Sequence, residues 1–438
     1  CGRIELEMAG AQSEPEAIGM PKNWEEKNRF KVAVFVFLAL LFDGFELGLM
    51  PVASISVTKS LAGSETSPSL LADWFAWLTA SLMLGAAFGG IIFGRMGDRF
   101  GRVTAFSLSI LFYSVFAGLG GLVTNMNQML LLRFAVGMGV GGVWPNGISL
   151  ASEVWPNLSK PMLSGILGSA INVGILILSQ LARAWPITPD SWRWLFGWCA
   201  APAMLGLAAR FLLSDSPAWR KTKPTNGLNP NLPQNRAASA EFKKTLRYAM
   251  ILGTIPLVGA WAASKWMIPW ADTVAGSANP GYKAAAQGWW ALGASLGGFV
   301  GALVAGRLGA ARSFGLFGVL STVATCGLFL LTRPLTPFFL PAVFLQGLIA
   351  TMFFGWLPLY LPSLFPVELR ATGTGISYNA GRFITAFGVL ASSMLVRAFS
   401  GNYAAIGAAA GVIYALAVPA AMFYNQMTPN PDLNQKEA

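Results

Sequence analysis

Between Gly94 and Arg102 the chain packs three arginines, one aspartate and three glycines into nine residues. On each side lies a run without a single charged residue, Trp74 to Phe93 before it and Val103 to Val123 after it. Each run matches the ~20 apolar residues that a helix needs to cross a bilayer. A charged knot this short between two such runs is a tight turn at a membrane surface. It dictates an all-α membrane protein and supplies a marker for its orientation.

The whole chain has this character. Hydrophobic residues make up 54% of it, charged residues only 11%, and the mean hydropathy is +0.55. A soluble domain carries roughly a quarter charged residues. A membrane chain of 438 residues has room for about a dozen spans and short loops. We place the spans near 30–54, 73–95, 103–123, 127–150, 162–184 and 192–213, then 246–270, 285–307, 313–332, 338–361, 371–396 and 403–424. In domain terms, 1–28 is a polar tail, 29–213 a six-helix bundle, 214–243 a linker rich in Pro, Asn and basic residues, 244–425 a second six-helix bundle, and 426–438 a polar tail.

The net charge is +11. Nucleic acid is not the implied partner, because basic residues gather in cytoplasmic loops to fix membrane orientation. The turns after even-numbered spans hold Arg95, Arg99, Arg102, Lys160, Arg220, Lys221, Lys223, Arg236, Lys243, Lys244, Arg307, Arg312 and Arg370. The alternate turns hold Lys59, Arg183, Arg193, Lys283, Arg333 and Arg397. The first set marks the cytoplasmic face of an inner (plasma) membrane and takes both termini with it. Cys199 and Cys326 fall within apolar spans, so neither a structural disulfide nor a zinc site is expected. Cys1 at the head is read as a fragment or an upstream-extended frame, with Met8 or Met20 as starts, and no cleavable signal peptide is visible. Histidine is absent, so any proton relay must use Asp or Glu. Without histidine, a phosphate loop or a cluster of ligand residues, the chain is not an enzyme, and no cofactor or metal is implied.

The two halves repeat. Gly85, Gly89, Gly94, Arg95 and Gly97 recur 212 residues later as Gly297, Gly301, Gly306, Arg307 and Gly309. Trp155-Pro156 with Lys160 and Gly165 is echoed by Phe365-Pro366 with Arg370 and Gly375. A parallel repeat about an axis along the membrane normal places a substrate site between the halves, near mid-membrane.

Gly94-x-x-x-Asp98-Arg99-x-Gly101-Arg102 between spans two and three resembles the signature of the major facilitator superfamily. The resemblance extends over nearly the full length. The copy after span eight lacks the aspartate, having Ala310 and Ala311. Asp43-Gly44-Phe45-Glu46 in span one, and Arg133-Phe134 through Gly137, Gly139, Gly141-Gly142 and Pro145-Asn146 to Ser152-Glu153 in span four, resemble the aromatic-acid:proton symporters and the neighbouring monocarboxylate symporters. The aromatic-acid group has aspartate where this chain has Glu46. The run from Leu364 to Gly373 is shared more widely, sugar porters included. The resemblance implies twelve transmembrane helices in two six-helix pseudo-repeats, with spans one, four, seven and ten lining a central cavity. It also implies that Asp98 sits at the cytoplasmic start of span eleven, where a helix N-terminus favours negative charge. Gly94, Asp98, Arg99, Gly101 and Arg102 would then form a conformational gate that holds the outward-open state.

Charges inside spans are costly and face a cavity or pair with each other. Asp43 and Glu46 lie three apart on one face of span one, Arg133 in span four, Lys265 in span seven and Arg382 in span eleven. We assign proton coupling to Asp43 and Glu46, since a carboxylate out of water can load and release a proton near neutral pH. Arg133, Lys265 and Arg382 could hold a substrate carboxylate. The competing structural reading is an Asp43–Arg133 or Glu46–Arg133 pair that locks helices, with Lys265 snorkelling outward. Tyr378 and Asn379 near Arg382, and Gln346, Trp356 and Tyr360 on span ten, complete the candidate contacts. Trp144, Trp261, Trp266, Trp289 and Trp290 are read as belt or packing residues, and Asn172, Gln180 and Gln287 as helix-to-helix hydrogen bonds.

The expected function is a monomeric secondary transporter working by alternating access, with proton-coupled symport of a small organic anion, a monocarboxylate or an aromatic acid. A sugar or polyol porter is the first alternative. A proton-antiporting exporter would need a glycine–proline run that Ser164 to Leu181 lacks, and a transport-dead sensor would need an added soluble domain.

Overall fold

The computed structural model describes residues 22–63, 68–154, 160–185, 187–216, 219–220, 234–263, 266–275, 279, 281–366, 369–399 and 402–424. Its first half runs through α1 (Lys22–Ala62), α2 (Pro68–Phe100), α3 (Arg102–Leu119), α4 (Met126–Val154), α5 (Lys160–Ala184) and α6 (Arg193–Leu212). The second half opens with α7, which is Gln234–Val258, a π-helical turn at Gly259–Ala263, and Met267–Ala275. It continues through α8 (Tyr282–Leu308), α9 (Ala310–Leu331), α10 (Phe339–Leu364), α11 (Arg370–Ala398) and α12 (Tyr403–Met422). The described residues contain no strand.

Among the described residues, nine helices are long and apolar enough to span a membrane by length and composition, and α4, α7 and α11 are not among them. The α4 stretch from Gly139 to Ala151 is buried throughout, so α4 is surrounded by protein rather than lipid. It can therefore carry Arg133, Asn146 and Glu153, each at most 8% exposed. The α11 helix likewise buries Thr374, Ser377, Asn379 and Arg382. Peripheral helices show the opposite: Phe211 is 81% exposed and Leu331 85%, an outer surface that suits acyl chains and not water. Thus α4 and α11 carry buried polar side chains, and Arg133, Asn379 and Arg382 of the candidate site lie on them.

The paired glycines set how closely helices approach. A Cβ on Gly85 or Gly89 would fall 2.0 Å from the Phe134 carbonyl oxygen or 1.8 Å from that of Met138, so α2 and α4 touch backbone to backbone. Gly297 and Gly301 meet Leu348 and Met352 of α10 in the same way, at 2.1 and 2.2 Å. The sequence repeat is therefore a repeat of helix packing, α2 on α4 and α8 on α10. The halves meet where α2 packs on α11 and α5 on α8.

The turn itself is shorter than its charge pattern implies. The α2 helix runs on through Arg95 to Phe100, and only Gly101 breaks it, with φ 109°. In the second half α8 ends at Leu308 and Gly309, with φ 77°, makes the break. Gly97 therefore matches Gly309 in sequence while Gly101 matches it in conformation. The second half lacks the last helical turn, the one that carries Asp98. At the other boundary of the first half, α7 begins at Gln234, inside the segment read as linker. Its first turns, with Ala237, Ala238, Ala240 and Glu241, are strong helix formers that extend the span beyond its apolar part.

Candidate functional site

Two clusters join the halves, one near mid-height and one at the end of the bundle that holds the Gly94–Arg102 turn. In the first, Glu46 and Arg133 form an ion pair between α1 and α4. Arg133 donates from Nη1 to Glu46 Oε2 at 2.6 Å and from Nη2 to the Glu46 backbone oxygen at 3.0 Å. Both side chains are 1% exposed. The pairing still leaves Glu46 Oε1 and Arg133 Nε buried without a hydrogen-bond partner.

Asp43, one turn away on α1, makes no such pair. It is 2% exposed and its Oδ1 has no hydrogen-bond partner. The charges that act on it are Arg382 of α11 and Glu46. Arg382 is 3% exposed, and its Nη1 is equally unpartnered. Its guanidinium lies 5.3 Å from the centroid of the Tyr378 ring. So a buried carboxylate of one half and a buried guanidinium of the other sense each other without a direct bond. Desolvated groups of this kind normally find partners.

Around this pair the structure adds Tyr113, Cys199 and Trp144 to the candidate contacts, and it places Asn379. Tyr113 of α3 is fully buried, its hydroxyl is unpartnered, and Asp43 and Glu46 are the carboxylates that act on it. Cys199 of α6 lies beside Glu46. Trp144, read above as a belt or packing residue, stacks on Tyr378 across the halves. Asn379 donates from Nδ2 to the Gly141 oxygen at 3.3 Å, another link between halves. A lone aromatic hydroxyl in the uncharged run from Val103 to Val123 is the one available signal for Tyr113.

The span-ten candidates are placed elsewhere. Gln346 accepts from Trp290 Nε1 at 2.9 Å and donates to Thr325 at 3.1 Å, tying α10 to α8 and α9. Trp356 Nε1 donates to the Ala310 oxygen, and the Tyr360 hydroxyl to that of Ala305. These three polar groups are bonded within the second half and do not join the Asp43–Arg382 cluster. Lys265 lies outside the described residues.

The second cluster is built on Asp98. Its carboxylate accepts from the backbone N–H of Ala371 at 3.2 Å and of Thr372 at 2.8 Å, the first turn of α11. Arg102 bridges Asp98 to Glu153, donating from Nε to Glu153 Oε1 at 3.3 Å. Arg370 approaches the same Glu153 oxygen at 3.8 Å, and Ser216 donates to the other. The chain leaving α6 closes over this network. Trp219 donates from its indole to the Asp98 backbone oxygen at 2.9 Å, and Asp215 accepts from the Val103 N–H at 2.8 Å. Burial pushes the Asp215 carboxyl up from its ordinary value, against the pull of that hydrogen bond and of Arg220 and Arg102. A Cβ on Gly94 would press on the Ala371 oxygen at 3.0 Å. Arg99 faces outward over Phe100 and takes no part.

Among the described residues no group of His, Cys, Asp or Glu could hold a metal ion.

Comparison with known proteins agrees with this architecture. The chain is 27% identical over 367 residues to the cis,cis-muconate transport protein of Acinetobacter baylyi, covering 81% of this chain and 84% of that protein. It is 26% identical to a sialic acid transporter of Escherichia coli, over 85% of this chain and 88% of that one. A solved proton:xylose symporter superposes with a TM-score of 0.72 at 16% identity, covering 92% of this chain and 97% of that one, a likeness of fold. The model of the Major Facilitator Superfamily matches residues 34–278, more than half of the sequence, and the chain belongs to that superfamily of membrane transporters.

Proposed function

We propose that this transporter carries a small organic anion, a monocarboxylate or an aromatic acid, in symport with protons by alternating access. The observation that carries the reading is the buried pair of Asp43 on α1 and Arg382 on α11, in which Oδ1 of the one and Nη1 of the other have no hydrogen-bond partner. A buried guanidinium with one nitrogen left unpartnered is a ready receptor for a carboxylate. A carboxylate without a partner beside it can take a proton and lose it again when a second anion leaves. Muconate and sialic acid, which name the two relatives above, are both carboxylic acids.

In this scheme Asp43 binds the coupled proton, Arg382 the substrate carboxylate, and Glu46 with Arg133 holds α1 on α4. The halves rock about the α2–α11 and α5–α8 contacts. The Asp98 network closes the basic face, which we assign to the cytoplasm of an inner membrane, with both termini on that side. One monomer contains the whole path.

Purified protein in proteoliposomes, screened for uptake of carboxylates and sugars with and without an imposed pH gradient, tests this. Uphill carboxylate uptake that follows the gradient is expected. Gradient-driven uptake of a neutral sugar, with carboxylates inert, would select the sugar-porter alternative.

A further inference from the structure

At the level of the charged cluster the halves touch through two aromatic rings. Trp144 of α4 and Tyr378 of α11 stack with centroids 3.9 Å apart and planes within 10° of parallel. Trp144 is 3% exposed and Tyr378 2%. The Asn379 amide bonded to Gly141 pins the adjoining backbone of the same two helices. On α11, one turn beyond Tyr378, stands Arg382, whose Nη1 is buried and unpartnered. A flat aromatic stack and a cation with one unpartnered nitrogen therefore lie one turn apart on α11.

In this arrangement each ring acts as the other's ligand. Alternating access requires the halves to part, and parting leaves both faces without a partner in a dry site. A planar conjugated molecule restores the stacking, because its face fits against an aromatic face at van der Waals distance. A saturated ring is puckered, thicker, and has no π face to offer. The charge of such a molecule would then fall within reach of Arg382.

We propose that Trp144 and Tyr378 are specificity-determining residues, which select planar conjugated carboxylates over saturated ones of equal size by exchanging their mutual stack for a stack on the substrate. This rests on the organic-anion reading above. Trp144 is the more selective face, since Tyr378 is already engaged by the Arg382 cation.

The test is a binding titration of the full-length transporter with benzoate and with cyclohexanecarboxylate. The two share a carboxylate and a six-membered carbon ring and differ in planarity. Benzoate should bind about tenfold tighter. Trp144→Leu should weaken benzoate by about that factor while leaving cyclohexanecarboxylate within about twofold. Trp144→Phe, which keeps a ring, should retain most of the preference, and it serves if the leucine variant does not fold. Equal affinities in the unmodified protein, or a preference that survives Trp144→Leu, would overturn the proposal. If neither acid binds and a sugar is taken up instead, the organic-anion reading falls as well. If carboxylates are transported without regard to planarity, only the present inference falls.

Discussion

Asp98 in the last turn of α2 accepts a 2.8 Å hydrogen bond from the Thr372 amide, so a carboxylate of one half caps a helix of the other. The first N–H groups of a helix lack intrahelical partners and carry the positive end of its dipole. The same carboxylate is held by Arg102, which Glu153 anchors in turn. Asp98→Asn keeps an acceptor oxygen but removes the charge. The loss should be roughly 1–2 kcal/mol of inter-half contact, or about tenfold in the ratio of states closed to open on this side. Distance distributions between spin labels at the ends of α2 and α11 would show the shift. An unchanged distribution would mean that the latch does not set the conformational balance.

The Glu46–Arg133 pair separates a structural role from a coupling role. Removing one partner from a buried pair strands a charge and costs about 3–5 kcal/mol, whereas replacing both with apolar groups can be neutral. Glu46→Gln should therefore lower the thermal unfolding midpoint in detergent markedly, and Glu46→Leu with Arg133→Met should recover most of it. A stable Glu46→Gln protein whose uptake no longer responds to pH would instead place Glu46 in the proton path.

Asp43 has no such partner to strand. Asp43→Asn is expected to abolish proton-driven accumulation while leaving counterflow exchange partly intact. Tyr113→Phe, removing the unpartnered hydroxyl behind it, should shift the pH profile of uptake without changing the exchange rate more than about twofold, since it adds no charge and alters little volume. Unchanged uphill uptake in Asp43→Asn would remove that residue from the coupling role.

Asp215 gives a pH test outside the spans. Burial holds its carboxyl above the ordinary value, so the folded state binds that proton more tightly than the unfolded chain. Such a group favours folding below the unfolded value, and the contribution is lost as pH rises through the folded one. Relative to Asp215→Asn, the native protein should lose thermal stability as pH is raised through the acid range. Parallel stability curves would show that Asp215 does not titrate in this way.

How much of this could be read from the residues follows from where each signal resides. Spans, repeat and turn are encoded locally, in apolar runs and in glycines at fixed spacing. Asp43, Glu46, Arg133 and Arg382 were legible because a charge in an apolar run is rare and costly. Which of them would pair was not legible: Glu46 and not Asp43 meets Arg133, a matter of helix rotation that a spacing of three cannot settle. Trp144 looked like any membrane tryptophan, since its partner Tyr378 lies in the other half of the chain. Trp356 and Tyr360 looked like cavity contacts because span ten was taken as a cavity helix, yet their polar atoms bond to α8 and α9. Helix identity was readable, and helix facing was not.

Arg382 offers the sharpest distinction between binding and packing. Its guanidinium faces Tyr378 and acts on Asp43 while one nitrogen stays unbonded. A charge-assisted, bidentate contact to a carboxylate contributes about 1.5–3 kcal/mol, so its loss should raise the apparent binding constant by roughly ten- to hundredfold. Arg382→Gln should do this for a transported acid and change the constant of its neutral amide analogue by no more than about twofold. Arg382→Lys keeps the charge without the planar fork and should fall between the two. Competition of each ligand against a radiolabelled substrate measures all of these. An equal rise for the acid and the amide would mean that Arg382 only packs against Tyr378 and its neighbours, and the anion would have to be held by another cation.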